Sequence, residues 1–456
     1  MSQFRLARIS LILAALGLSA APALLGMAPA YAADKAPPAA AAQPPADTVR
    51  PDMYKLIDPA QMKELMAAKN FAEAQNRIDQ AAALPNITPY EEFVLNRMRV
   101  ALGSSSGNMA MTIPALEAVI AANKLDASSQ RDYTKALVQD YYDAKAYPKA
   151  IETINRYQSA TGDMKSMHQT LLFAEFFGGD YAATKAEIEK DLAADREAHL
   201  KPDATELKLL GNLGLKLKDN NKTTMEAVEL NVTYYPSDDY WSYLLSRAQG
   251  QDNFSQRLII DLRRLQMLTV SKLEADDYMD LAELAQQGGF FTEAKKALDA
   301  GYAAGALGTG ADAGKQKKLR DQVNKAAADD EKNIGSGEAA AMKSKDGVGL
   351  VNLGYAYVTM GQFDKGIDLM QKGIAKGVLK NPEDAKLRLG YAYVLAGRKD
   401  DATKALEAIQ GNDGHANIAH YWLIWMNRDV TTALPTASAS AAVAKPAEAK
   451  PAEAAK

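Results

Sequence analysis

The sequence predicts an all-α fold, a right-handed superhelical solenoid of antiparallel helix pairs. Leu353-Gly354-Tyr355-Ala356-Tyr357-Val358 recurs letter for letter as Leu389-Gly390-Tyr391-Ala392-Tyr393-Val394, 36 residues later. A period of that size marks a stacked array in which no unit buries its own apolar face alone. Apolar residues recur at helical spacing along most of the chain, and no run alternates with the two-residue period of a strand.

The first 32 residues carry Arg5 and Arg8, an apolar run from Ile9 to Leu25, and Ala30-Tyr31-Ala32. That order reads as a signal peptide cut after Ala32, which predicts a periplasmic or secreted chain with no further membrane span. The sequence contains no cysteine, so stability has to come from packing rather than disulfides. Losing Arg5 and Arg8 takes the formal charge from −4 to −6, and there is no basic stripe. Nucleic acid is therefore not expected as a partner. Residues 33–49 read as a disordered Ala/Pro-rich linker. Residues 430–456 read as a disordered Ala/Pro/Lys/Glu tail with two copies of Lys-Pro-Ala-Glu-Ala, at 445–449 and 450–454.

Residues 50–303 read as a degenerate array. Tyr147, Ala150 and Ile154 are matched 34 residues later by Tyr181, Thr184 and Ile188. Phe71, Ala74, Ile78 and Ala81 share the phase, as do Phe291, Ala294, Leu298 and Gly301. Paired helices are predicted at 89–102 with 108–122, 203–217 with 221–234, and 238–248 with 253–267. Thr88-Pro89-Tyr90-Glu91 is a capping box with proline at the first helical position.

Residues 304–346 read as a degenerate unit or an insertion, with a long charged helix near 312–332. Residues 347–429 hold two clear units plus a capping helix. In the first unit Leu350, Leu353 and Tyr357 stripe one helix, Gly361 breaks it, and Phe363, Ile367, Met370 and Ile374 stripe the next. Gly354, Gly366 and Gly373 fall where the two helices cross. Glycine inside a helix costs about 1 kcal/mol against alanine, so close backbone approach is the expected reason for it. Tyr357 and Tyr393 should be core. Ile418, Tyr421, Trp422 and Trp425 should lay an aromatic stripe over the last pair.

Residues 347–378 resemble the tetratricopeptide repeat: Leu-Gly, a tyrosine three residues later, a turn glycine, an aromatic, then two small residues. The second copy departs at Ile409 and Lys399. Tyr235-Pro236 with Tyr240-Trp241, Ala275-Asp276-Asp277-Tyr278-Met279, Gly305 to Ala313 and Gly411-Asn412-Asp413-Gly414 extend the resemblance over about residues 50–426, toward an exported family of Gram-negative bacteria. The resemblance implies fold and compartment. It implies no activity.

Motifs that carry chemistry are weak in context. Gly103-Ser104-Ser105-Ser106-Gly107 matches a hydrolase nucleophile elbow but follows a helix, and reads as an inter-helix loop. His168, His199, His415 and His420 lack zinc spacing. Gly308-Thr309-Gly310-Ala311-Asp312-Ala313 is a lone dinucleotide-loop match. Lys315, Lys317, Lys318 and Arg320 after it suggest at most an anion cradle. Asp219, Asn221 and Thr223 begin a calcium loop that lacks its turn glycine and closing carboxylate. No catalytic, metal or cofactor-binding residue is assigned, and the chain is read as non-enzymatic.

The expected function is therefore a periplasmic scaffold that binds a protein or extended peptide in a concave groove. In the two clear units Asn352 and Arg388 take the sixth position and Tyr355 and Tyr391 the ninth. By the resemblance to peptide-clamping repeats, these four are the candidate groove residues. Asp384 stands where the clamp has lysine. Handling of a polymer in cell-envelope or exopolysaccharide export is the alternative, since the chain's 20 tyrosines can stack on sugars.

Overall fold

The computed structural model describes residues 47–219 and 221–428. Every regular element among them is a helix. The predicted signal peptide, most of the 33–49 linker and the 430–456 tail lie outside the described residues. No helix among those described is long and apolar enough to cross a membrane. The described residues divide into two compact units, parted between Lys190 and Asp191. The division falls within the segment that the sequence presents as one array.

The first unit contains α1 (Pro51–Leu56), α2 (Pro59–Ala67), α3 (Phe71–Ala82), α4 (Pro89–Ser106), α5 (Met109–Ala121), α6 (Ala127–Asp143), α7 (Tyr147–Thr161), α8 (His168–Gly178) and the start of α9 (Tyr181–Glu197). From α2 onward each helix packs on the next up to α8, as consecutive antiparallel hairpins must. Side-chain caps explain where they begin. Asp58, Asn70, Asn108 and Asp126 each accept from backbone N–H groups of the first turn of α2, α3, α5 and α6. Thr88 and Glu91 form the expected capping box on α4. The apolar faces close over Phe93, Met98, Leu116, Tyr133, Leu137 and Ile154. One expectation fails: Gly103–Ser106 is the last turn of α4, not a loop. The Ser105 and Ser106 hydroxyls donate to the carbonyls of Ala101 and Leu102 at 2.8 Å, and Gly107 ends the helix at φ 74°.

The second unit contains α10 (Ala204–Leu217), α11 (Lys222–Tyr234), α12 (Asp238–Gln249), a 3-10 turn at Gln256–Leu258, α13 (Ile259–Thr269), α14 (Ala275–Gln287) and α15 (Phe291–Ala303). After α16 (Ala313–Asn333), a 3-10 turn and the short α17 (Glu338–Lys343) come α18 (Val348–Thr359), α19 (Phe363–Lys376), α20 (Pro382–Leu395), α21 (Lys399–Glu407) and α22 (His415–Asn427). The charged helix predicted near 312–332 is α16, which buries Gln316, Leu319, Val323 and Ala327 and packs on α15. The final helix does more than cap. Besides α20 and α21 it packs on α11 and α13, so this unit closes on itself. His415 joins the closure at both ring nitrogens, each 2.7 Å from a carboxylate, Asp413 at Nδ1 and Asp384 at Nε2. The Ser255 N–H donates to the Asp413 carbonyl at 2.9 Å.

Tyr357 and Tyr393 are buried, as their stripe requires. The α18–α19 crossing is a backbone contact. A Cβ on Gly354 would lie 2.5 Å from the Gly366 carbonyl oxygen and 2.8 Å from the Met370 nitrogen, and one on Gly373 would lie 2.7 Å from the Gly347 oxygen. Gly354→Ala should therefore destabilise by about 1–3 kcal/mol through overpacking. Gly361 faces open space with φ +83°. Gly361→Ala should cost about 1 kcal/mol of backbone strain alone. Urea midpoints in the opposite order would refute the close crossing.

In the first unit Glu91 is almost fully buried and takes both Arg50 Nε at 2.8 Å and Nη2 at 2.7 Å. The Arg50 hydrogen bonds, against the opposing effect of burial and with help from the Thr88 and Arg50 backbone N–H groups, hold its carboxyl down at about 2. Because the folded pKa is depressed, the stabilisation is present above the ordinary glutamate range and is lost as pH falls from about 4.5 through 2. It amounts to something on the order of 3 kcal/mol. Glu91→Gln should flatten that part of the stability–pH curve, measured by urea unfolding from pH 5 to 2; parallel curves would count against the pairing.

Candidate functional site

The most strongly constrained group of side chains lies in the second unit, where Arg264 of α13 meets the first helices of the two clear repeats. Arg264 on α13 is buried among Leu262 and Leu265. Its Nε and Nη2 donate to Glu293 Oε1 and Oε2 at 2.9 and 2.8 Å, and Nη1 donates to Asp261 Oδ1 at 2.7 Å. The Tyr355 hydroxyl donates to the same Glu293 Oε1 at 2.7 Å. Burial alone pushes Glu293 up, but the charge and hydrogen bonds of Arg264, with that of Tyr355, hold it below its ordinary value. Burial raises the Tyr355 hydroxyl, so it remains a donor. The guanidinium carbon lies 4.7 Å from the Tyr355 ring centre and 5.6 Å from that of Tyr391. The rings continue outward: Phe290 to Tyr355 at 4.8 Å, Tyr355 to Tyr391 at 6.3 Å, and Tyr391 to Trp422 at 4.9 Å.

This corrects the expected orientation of two candidate groove residues. Tyr355 has no exposed surface and Tyr391 is 8% exposed. Both face α13, because an open row of aromatic rings would forgo about 1.5–3 kcal/mol of burial per side chain. Asn352 stays exposed and Arg388 partly so. Arg388 Nη1 donates to Asn352 Oδ1 at 2.8 Å, so the two sixth positions grip each other across one repeat. The Arg388 guanidinium also lies 4.9 Å from the Phe290 ring centre. Asp384 is occupied by His415 and by Arg257, at 2.7 and 3.2 Å.

Arg264 and Glu293 were not singled out from sequence. A signal was available: Asp261 and Arg264 are an opposite-charge pair three residues apart, set among Leu258, Leu262 and Leu265. Charges inside an apolar stripe need partners.

Beneath α13 lies a cavity of about 360 Å³. Its walls include Met267, Leu268, Val270, Leu273, Leu281 and Ala297, with Arg264, Glu293, Tyr355 and Tyr391 on its polar side and Lys296 beside them.

In the first unit, Phe177 at the end of α8 is 54% exposed. Its ring centre lies 6.2 Å from that of Tyr147, 6.3 Å from those of Tyr142 and Phe173, and 5.3 Å from that of Phe176. Beside this aromatic patch runs an open cleft of about 710 Å³, lined by Pro148, Ile151, Glu152, Asn155, Arg156 and Ser159. Neither feature was read from the sequence, where Phe173, Phe176 and Phe177 look like helix-face residues.

The remaining motifs have structural partners. Lys315 pairs with Glu283, Lys317 with Asp321 and Arg320 with Asp299. Asp219 accepts from the Thr223 backbone and hydroxyl at the start of α11. His420 lies 3.1 Å from Glu229.

No protein-family model matches the chain, and no curated protein matches it. Among solved structures, the chain is similar to the TPR2AB-domain:pHSP90 complex of yeast Sti1, with 18% identity over 66% of this chain and 98% of that one and a TM-score of 0.23.

Removing one partner from a buried ion pair typically costs 3–5 kcal/mol. Glu293→Gln should therefore lower the unfolding free energy by about 3 kcal/mol, whereas Tyr355→Phe, which removes one hydrogen bond to a charged group, should cost about 1.5 kcal/mol. Equal denaturation midpoints for Glu293→Gln and the parent would show that Arg264 does not depend on this carboxylate.

Proposed function

We propose that this chain is a non-enzymatic scaffold, exported to the periplasm with cleavage after Ala32, that binds a protein or an extended peptide on its stacked helix pairs. Export is supported by the leader composition. A binding role is supported most directly by the exposed aromatic patch around Phe177. A large aromatic ring left in water over half-buried neighbours, beside an open cleft, is the surface that a partner's apolar side chains cover. Glu152, Asn155 and Arg156 supply a polar rim for backbone groups of an extended segment. The Asn352–Arg388 pair offers a second, smaller polar surface, without the groove tyrosines beside it.

Handling of an envelope polymer is the second reading. It is favoured by the near-parallel rings of Tyr147 and Phe177, at 26°, and of Phe173 and Phe177, at 24°, because flat ring faces pack against the C–H faces of sugars.

Immobilised mature protein should retain a defined protein from envelope extract. Phe177→Ser should reduce that retention at least tenfold with unchanged helical circular dichroism, while Val378→Ser, an exposed site in the second unit, should not. Retention indifferent to both Phe177→Ser and Ile151→Glu would remove the patch from the proposal. Binding on a glycan array with no protein retained would favour the polymer reading.

A further inference from the structure

We propose that the cavity beneath α13 is a binding site for an aliphatic monocarboxylate of about a dozen carbons, with its chain between α13 and α15 and its carboxylate at Lys296. The volume of about 360 Å³ falls within the range of small-molecule sites. It is about twelve times the roughly 30 Å³ that one water occupies in the liquid, a similar space to that of one methylene group. Water filling it would meet few partners along the Met267, Leu268, Val270, Leu273 and Leu281 walls, whereas a hydrocarbon chain needs none there. The opposite wall is smooth. Ala297, Ala300 and Ala304 fall at i, i+3 and i+7 along and just beyond α15, leaving a slot where larger side chains would fill it.

Charge selects the head group. Only three lining residues are charged, and Arg264 and Glu293 neutralise one another. That leaves Lys296, which is exposed and so lies at the mouth. Its ammonium donates once, to the Thr359 carbonyl at 2.7 Å, and has no carboxylate within salt-bridge distance among the described residues. A cation at the entrance of an apolar slot, with no carboxylate in direct contact, matches one anion on an apolar body. Tyr278 and Tyr391 line the same space, and their hydroxyls make no hydrogen bond among the described residues. They add donors that a carboxylate oxygen, and not an alkane, can use.

This site is independent of the scaffold surfaces proposed above. Titration calorimetry of delipidated mature protein with dodecanoate, below its micelle concentration, should give one site per chain. Dodecanol should bind at least tenfold more weakly, and Lys296→Met should remove that preference. Ala300→Trp, or Ala304→Phe if the first variant loses helicity, should weaken dodecanoate at least tenfold by filling the slot. No saturable binding, or binding that survives both fillers, would overturn the site. Equal affinity for dodecanol and dodecanoate in the parent would overturn the assignment of Lys296 to the head group.

Discussion

A guanidinium without water needs its charge and its donors satisfied together, and Arg264 meets that need through Glu293, Asp261 and three aromatic rings. Those groups come from α13, α15, the residue before α15, α18 and α20. One side chain thus fixes the relative positions of four helices in the second unit. Glu293 is shared with the Tyr355 hydroxyl, which sets the rotation of α18 and, through the adjoining rings of Tyr391 and Trp422, the seating of α20 and α22. The arrangement is demanding because a buried ion pair gains little over apolar packing when complete and loses several kcal/mol when broken. Its effect is to specify one docking geometry for α13.

That geometry changes what the repeats present to solvent. Stacked helix pairs ordinarily offer the face of their first helices to a partner. Here Tyr355 and Tyr391 on the corresponding face of the last two clear pairs meet Arg264 of the chain's own α13, and Trp422 of α22 lies against Tyr391. What is left is a slot between α13 and α15 and a small polar pair at Asn352 and Arg388. The first unit differs. Its helix pairs leave Phe177 exposed over half-buried neighbouring rings beside an open cleft.

Much of the fold was legible residue by residue. The start of α4 followed from Thr88 and Glu91, because a capping box is a local pair of hydrogen bonds within one turn. Gly354, Gly366 and Gly373 marked the α18–α19 crossing, because only backbone contact justifies three glycines on facing helices. The site was less legible. The identical copies Tyr355/Tyr357 and Tyr391/Tyr393 suggested one tyrosine inward and one outward in each unit, yet all four are buried. Periodicity reports which face of a helix is apolar, but a second apolar face can be covered by a segment nearly a hundred residues away.

The sequence by itself determined the all-α class, the repeat period, the spans of several helices and the backbone crossing of the clearest pair. These depend on interactions within a turn or between neighbouring helices, and such interactions leave a periodic trace. Only the tertiary structure decided that α13 lies over Tyr355 and Tyr391, that α22 returns to α11 and α13, and that Asp384 serves His415 instead of a ligand. Those outcomes depend on contacts between distant segments, where burial of aromatic surface and the pairing of one buried arginine select among packings that the same local pattern allows.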